Sequence, residues 1–157
     1  MSTLEPVTRA WLATHGFSVV DDAAWIEALT HGSTGETFNY NRLEFLGDRV
    51  LGLSIADWLH GRGSDDEGKL AQRLNALVSK TACARVARAL GVQDHIRLGK
   101  QARDDGAGDS DNVLGDVMES LLGAQYREAG FESARMLVRR FWHEAVEGHA
   151  GRAKHPK

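Results

Sequence analysis

Hydrophobic residues recur along this chain at intervals of three and four positions, the spacing that places side chains on one face of an α-helix. These runs predict helices near residues 4–15, 22–31, 39–60, 66–90, 111–129 and 132–147, with a short helical turn near 94–98. No stretch alternates between hydrophobic and polar residues as a half-buried β-strand does. The pattern therefore predicts an all-α fold.

Proline and glycine mark where these helices end. The two prolines, Pro6 and Pro156, lie near the ends of the sequence, so the region between them lacks the strongest helix breaker. Glycines separate the hydrophobic runs instead. The stretch RDDGAGDSD, residues 103–111, predicts an exposed loop, and Ser110 or Asp111 is suited to cap the helix that follows.

Two carboxylates interrupt the most hydrophobic of the predicted helices. The stretch NRLEFLGDRVLGL, residues 41–53, is apolar on most sides, which is typical of a buried helix. Helical spacing nevertheless places Glu44 and Asp48 on one stripe with Asn41. Arg42 and Arg49 lie roughly 90–150° away around the helix. We therefore expect neither arginine to pair with this stripe.

A second helix repeats this feature. In DNVLGDVMESLLGAQY, residues 111–126, Asp116 and Glu119 are three positions apart among hydrophobic residues, and residues 106–126 contain no Lys or Arg. If the two helices pack together, four carboxylates converge where burial makes uncompensated charge costly. Two explanations remain open: a bound hard cation, Mg²⁺ or Mn²⁺, or ion pairs with the basic segment 62–105.

Composition narrows the class of protein. The chain has 157 residues, of which 42% are hydrophobic and 26% charged, as expected for one globular domain. The net charge of −3 alone argues against nucleic-acid binding. However, residues 62–105 carry nine Lys and Arg against six Asp and Glu, so an acidic pocket with basic flanks is compatible with the sequence.

Other classes are disfavoured. Cys83 is the only cysteine, which excludes an internal disulfide and a cysteine-based zinc site. The first residues lack the pattern of a signal peptide, and no apolar run approaches the roughly 20 residues that span a bilayer. A cytoplasmic protein without membrane contact is the simplest prediction. The Glu-x-x-His repeats of di-iron bundle proteins are also missing.

Several segments together resemble one family. NRLEFLGDRVLGL closely resembles the signature motif of ribonuclease III, the endonuclease of double-stranded RNA, and NVLGDVMESLLGAQY resembles its second acidic motif. EALTHGS, residues 27–33, and DDEGKLAQRLNALVSK, residues 65–80, are similar to the segments before and between these motifs. The resemblance covers about residues 4–150.

This resemblance implies a fold, an assembly and a reaction. The fold is the all-α ribonuclease III endonuclease domain, over residues 1–150, and it forms a homodimer. Residues 151–157 would begin a linker towards a double-stranded-RNA-binding domain. The reaction is hydrolysis of RNA phosphodiester bonds to 5′-phosphate and 3′-hydroxyl ends. Two Mg²⁺ ions, replaceable by Mn²⁺, would activate water and stabilise the leaving oxygen.

The resemblance also assigns roles by position. The four metal-binding carboxylates match Glu44, Asp48, Asp116 and Glu119, of which Asp48 and Glu119 are expected to matter most to catalysis. Glu67 matches a further supporting acidic residue. Phe45 matches an aromatic side chain that enters a pocket of the partner subunit.

One position departs from the family pattern. The family usually has Glu, sometimes Gln, where this chain has Asn41, which keeps a carbonyl acceptor but loses the charge and one methylene group. Its role in ordering water or positioning the RNA strand is therefore open, and a role at the helix start is an equal alternative. A catalytically weakened member that serves as an RNA-binding or structural subunit is the alternative function, although all four ligand positions remain acidic.

The remaining candidates have ordinary explanations beside functional ones. Basic residues near the predicted loop could contact the RNA backbone, namely Arg97, Lys100 and Arg103, with Arg139 and Arg140 as further candidates. We expect Lys80 to be a solvated lysine, although contact with phosphate is an alternative. We expect His31 to have a structural role at a helix end. Cys83 is expected to be a small core residue.

Overall fold

The computed structural model describes the backbone of residues 3–154 and the side chains of residues 3–148. Its helices are α1 (Pro6–Thr14), α2 (Asp22–Ala28), α3 (Asn41–His60), α4 (Glu67–Leu77), α5 (Lys80–Leu90), α6 (Lys100–Asp104), α7 (Asp111–Phe141) and α8 (His143–Lys154). The only β pairing in this described part is a single parallel bridge between Thr30 and Arg97. The prediction of an all-α fold is confirmed. None of these helices is long and apolar enough to cross a lipid bilayer.

The predicted single helix over 66–90 is wrong. The structure has two helices there, because the chain leaves the helical conformation after Leu77 and Ser79 begins a new helix. The Ser79 hydroxyl accepts a hydrogen bond from the Ala82 N–H at 3.1 Å, which is the usual way a serine caps a helix start. This cap makes Lys80 the first residue of α5.

Other boundaries agree only in part with the prediction. The helical turn expected near 94–98 lies at Val92–Asp94, and α6 occupies the start of the predicted loop. Gly130, with φ of 88°, interrupts α7 where the prediction placed a break, between the helices over 111–129 and 132–147. The next helix boundary falls at Trp142, whose buried indole donates to the Leu77 carbonyl. The predicted linker at 151–157 overlaps the end of α8, and residues 155–157 lie outside the described residues.

The packing of α3 against α7 positions the acidic residues of both helices. Buried side chains such as Leu51 and Leu121 fill the core around this pair. Glycines allow the two backbones to touch: a Cβ at Gly47 would lie 1.7 Å from the Glu119 carbonyl oxygen, and one at Gly123 would lie 2.3 Å from that of Leu43. The contact therefore fixes the acidic motif of one helix directly against that of the other.

Candidate metal centre

Three acidic side chains from α3 and α7 meet at the helix contact. Glu44, Asp116 and Glu119 each offer one carboxylate oxygen, and these oxygens all lie within 4.8 Å of one another. Glu119 is buried, with 2% of its surface exposed, whereas Glu44 and Asp116 are half-buried. The helix contact thus brings together residues that are more than 70 positions apart in the sequence.

Asp48 lies beside this group and has a partner that the sequence analysis did not expect. Its carboxyl is near enough to that of Glu119 to raise the pKa of Glu119. Its Oδ2 atom also accepts a hydrogen bond from Arg49 Nη1 at 2.5 Å. The expectation that Arg49 would not pair with the stripe is wrong, because the long arginine side chain reaches back to its neighbour. Arg49 also lies over the Phe45 ring, with its guanidinium carbon 5.0 Å from the ring centroid.

Glu67 and Asn41 are not among the three residues that converge. Each is the first residue of its helix, Glu67 in α4 and Asn41 in α3, and both are exposed. The Asn41 N–H donates to the Asn39 side-chain oxygen at 2.8 Å. This contact agrees with a role for Asn41 at the helix start.

Lys80 is the residue that the sequence analysis misjudged most. We expected a solvated side chain, but its ammonium lies among the carboxylates, at 2.7 Å from Asp116 Oδ1, 2.8 Å from Glu119 Oε1 and 3.4 Å from Glu44 Oε2. Burial opposes the charge, but hydrogen bonds with Asp116 and Glu119 outweigh it and raise the pKa of Lys80 above its usual range. Of the two explanations left open by the sequence, the ion pair between the carboxylates and the segment 62–105 is therefore present, and Lys80 forms it.

The surroundings raise the pKa of two carboxyl groups. Burial, followed by the hydrogen bond with Asp48, raises the pKa of Glu119 to about 8, and the Lys80 ammonium opposes both effects. Burial also raises the pKa of Glu44, as does hydrogen bonding with Asp116. Such shifts occur where acidic groups are crowded away from water, and they are relieved when a cation binds.

Tyr40 is a second residue that the sequence analysis missed. It is buried immediately before α3, and its hydroxyl donates to Asp116 Oδ2 at 3.2 Å. Burial, followed by the negative charge of Asp116, raises the pKa of Tyr40 above its usual range, so the hydroxyl remains a donor. Its only sequence signal was its place next to the acidic helix.

Two other candidates have structural roles. Cys83 is fully buried, as predicted, and burial raises the pKa of its thiol to about 12. The His31 ring accepts a hydrogen bond from the Ser33 N–H at 3.1 Å and so caps the turn at Gly32–Thr34. The helix predicted over 22–31 ends at Ala28, so His31 has its structural role at the start of the following turn.

The candidate RNA-contacting residues lie on and next to α6, where each already has a protein partner. Arg97 pairs with Glu36 at 2.8 Å, and Lys100 pairs with Asp104 at 2.9 Å. Arg103 donates to the Leu98 carbonyl at 3.3 Å. Lys100 is strongly exposed, and its side chain retains 90% of its accessible surface.

Phe45 projects from α3 into solvent, with 65% of its surface exposed. It borders a groove of about 720 Å³ between α2, α3 and α7, which Ala24, Leu43, Leu46 and Arg127 also line. Aromatic side chains are enriched in protein–protein interfaces, so this surface is a candidate contact site.

The acidic group fits a divalent cation. All of its donors are oxygens, which hard cations such as Mg²⁺ and Mn²⁺ prefer. The Lys80 ammonium at its centre shows directly that the group accommodates a positive charge. Glu44, Asp116 and Glu119 could therefore hold a metal ion, with Asp48 next to them.

Comparison with known proteins gives concordant results. Residues 21–145 match the family model described as ribonuclease-III-like. The chain is 54% identical over 138 residues to ribonuclease 3 of Zymomonas mobilis, an alignment that covers 87% of this chain and 56% of that protein. It is 46% identical over 135 residues to ribonuclease 3 of Rhodobacter capsulatus, covering 84% of this chain and 59% of that protein. The chain thus spans little more than half the length of these curated relatives.

Solved structures show the same likeness. The crystal structure of the nuclease domain of ribonuclease III from Campylobacter jejuni superposes with a TM-score of 0.82 at 29% identity, covering 90% of this chain and 97% of that domain. A second structure of that domain, which concerns flexibility in a region involved in dimer formation, superposes with a TM-score of 0.81 at 34% identity. It covers 83% of this chain and 92% of that domain.

Proposed function

Because the chain belongs to the ribonuclease-III-like family, we propose that it is a divalent-metal-dependent endoribonuclease that cleaves double-stranded RNA. The products would be 5′-phosphate and 3′-hydroxyl ends, and the task would be RNA processing in the cytoplasm. Residues 1–150 would form the catalytic domain, and residues 151–157 would lead towards an RNA-binding domain.

One observation carries this proposal. Three carboxylates from the two motifs that resemble the family signature converge within 4.8 Å, and the fourth, Asp48, is near enough to Glu119 to raise its pKa. Acidic groups that are crowded together and partly buried lower stability unless cations compensate them, so packing alone does not explain this cluster. A site that must hold positive ions next to an RNA phosphate does require it.

Each side chain would have a defined task. Glu44, Asp116 and Glu119 would hold the ions, which we propose to be two Mg²⁺ per site during cleavage, with Mn²⁺ as a substitute. When bound, these ions supply an activated water nucleophile and stabilise the leaving 3′-oxygen. Tyr40 would fix the orientation of Asp116 through its hydroxyl. Asp48, next to Glu119, would be the fourth metal ligand and with Glu119 would matter most to catalysis, and Glu67 would support the site from α4.

The direct test is incubation of the protein with a long RNA duplex in Mg²⁺, and in parallel with EDTA. We expect cleavage in Mg²⁺ that EDTA abolishes, with phosphate on the 5′ ends of the products. Binding of the duplex without cleavage in Mg²⁺ and in Mn²⁺ would instead identify a catalytically weakened RNA-binding member of the family. Cleavage that persists in EDTA would contradict the metal site.

We further propose that the protein forms a homodimer through the surface around Phe45. The exposed ring, the adjacent groove and the likeness to a nuclease domain with a region involved in dimer formation support this proposal. An aromatic side chain buried at the centre of an interface often contributes 2 kcal/mol or more to association, roughly a thirtyfold change in affinity.

The variant Phe45→Ala should therefore raise the dimer dissociation constant by about thirtyfold or more, as measured by sedimentation equilibrium. Met136→Ala removes an equally exposed hydrophobic side chain from α7 and serves as the control. We expect the control to dimerise as the unaltered protein does. Equal dissociation constants for Phe45→Ala and Met136→Ala would exclude Phe45 as an anchor.

RNA binding should depend strongly on salt. The proposed contacts are phosphate contacts from basic residues such as Arg97, Lys100 and Arg103, and each releases counterions from the RNA. Several such contacts should cost about one to several orders of magnitude in duplex affinity between roughly 50 and 200 mM salt. Filter binding of a duplex in EDTA, across a salt series, measures how steeply the logarithm of affinity falls with the logarithm of salt concentration. Lys100→Met should reduce that slope by the amount that about one phosphate contact contributes.

A further inference from the structure

The backbone of α7 makes room for the Lys80 side chain at one position. A Cβ at Gly115, the residue before Asp116, would lie 2.5 Å from Lys80 Cδ, 2.9 Å from its Cγ and 2.9 Å from its carbonyl oxygen. Any larger residue would block the path that the lysine stem follows. Gly115 therefore leaves space beside α7, and the Lys80 side chain passes through this space from the start of α5 to the carboxylates.

The ammonium at the end of that path occupies the centre of the acidic group. It lies within 3.4 Å of one oxygen from each of Glu44, Asp116 and Glu119. These three residues are also the ones whose oxygens are close enough together to share one metal ion. An Mg²⁺ ion needs oxygen ligands at about 2.0–2.1 Å, so an ion bound between the same oxygens would overlap the ammonium.

We propose that Lys80 is a built-in counter-cation that competes with divalent metal for the carboxylate cluster. Without metal, its ammonium neutralises Glu44, Asp116 and Glu119 and holds the contact of α3, α5 and α7 together. Metal binding requires the ammonium to leave the centre, so Lys80 lowers the metal affinity of the site. This inference rests on the proposed function, because it takes the cluster to be the metal site.

The competition has a simple energetic basis. A site whose competent form is only fractionally populated binds its ligand more weakly by that fraction. If Lys80 fills the centre nine-tenths of the time or more, then its removal should tighten metal binding by about tenfold or more. The same removal should lower the stability of the metal-free protein, because the three carboxylates lose their compensating charge.

The test compares Lys80→Met with Lys69→Met, which removes an exposed lysine of the same charge from α4. Mn²⁺ affinity is measured by titration calorimetry without RNA, and the melting temperature is measured in EDTA. We expect Lys80→Met to bind Mn²⁺ about tenfold more tightly or better and to melt at a lower temperature, while Lys69→Met matches the unaltered protein in both measurements. A merely structural lysine would lower stability without tightening metal binding.

The outcomes separate this inference from the proposed function. If the unaltered protein binds Mn²⁺ and Lys80→Met binds it equally or more weakly, then Lys80 does not compete with the metal, although the metal site itself still stands. No Mn²⁺ binding by either protein would overturn both.

If Lys80→Met does not fold in EDTA, the double variant Lys80→Met, Glu119→Gln provides a second measurement. It removes one charge of each sign from the cluster. We expect the double variant to fold in EDTA, because the acidic cluster then has one charge fewer for Lys80 to compensate. A double variant that also fails to fold would show that Lys80 does not act as the counter-cation of the cluster.

Discussion

Glu119→Gln should reduce the rate of duplex RNA cleavage by about 10²–10³-fold or more while the protein stays folded. The change retains the size and one oxygen of the side chain but removes a charged ligand from the most buried position of the cluster. Metal ions supply several kcal/mol of transition-state stabilisation, and each 1.36 kcal/mol corresponds to about tenfold in rate. The rate is measured in Mg²⁺ at saturating RNA.

Glu132→Gln is the matched control, because it makes the same chemical change on the exposed part of α7, where Glu132 pairs with Arg135. We expect the control to cleave at the rate of the unaltered protein. Cleavage by Glu119→Gln at that same rate would remove Glu119 from the site.

Glu119→Gln should also be more stable than the unaltered protein in EDTA at alkaline pH. Burial gives Glu119 a folded-state pKa of about 8, well above the usual 4.5 of a glutamate side chain. An acid with a raised pKa contributes its full stability below the unfolded value and loses it as pH rises through the folded value. Glutamine resembles the protonated acid, so the advantage of Glu119→Gln in melting temperature should grow between pH 4.5 and about 8, then level off. An advantage that shrinks with rising pH would contradict the burial of this carboxyl.

Gly47→Ala should lower the free energy of unfolding by about 4 kcal/mol or more, or prevent folding. The added Cβ would lie 1.7 Å from the Glu119 carbonyl oxygen and 2.9 Å from the Gly123 amide nitrogen, and both are backbone atoms. A flexible side chain could move aside, but relief here requires α3 and α7 to separate. That separation opens the core and disperses the carboxylates that the contact brings together.

Gly68→Ala provides the comparison for this change. Gly68 lies in α4, where an added Cβ would meet only the Asp66 carboxylate at 3.5 Å, an ordinary contact distance. Alanine favours a helix over glycine by up to about 1 kcal/mol, so the control should be equally stable or slightly more stable. Urea titration followed by circular dichroism measures both variants, and a Gly47→Ala midpoint equal to that of Gly68→Ala would contradict the close helix contact.

The sequence by itself determined the helical class and the four acidic positions. Glu44 with Asp48, and Asp116 with Glu119, are local pairs whose spacing places each on one helix face. Their hydrophobic surroundings predicted burial, and buried acid predicted a compensating cation. Helix ends were less predictable. The break between α4 and α5 depends on the cap at Ser79. The hydrophobic pattern continues across that residue, so its spacing gives no sign of the break.

Only the tertiary structure decided which cation compensates the cluster. Lys80 is 36 and 39 positions from its partners Asp116 and Glu119, and its path exists because Gly115 leaves space beside α7. Tyr40 likewise reaches Asp116 across 76 positions. Local spacing specifies the face of a helix on which a residue lies. It does not specify the distance or the rotation between two helices. The close packing at Gly47 and Gly123 sets both for α3 and α7, and the hydrogen bonds of Lys80 and Tyr40 depend on them.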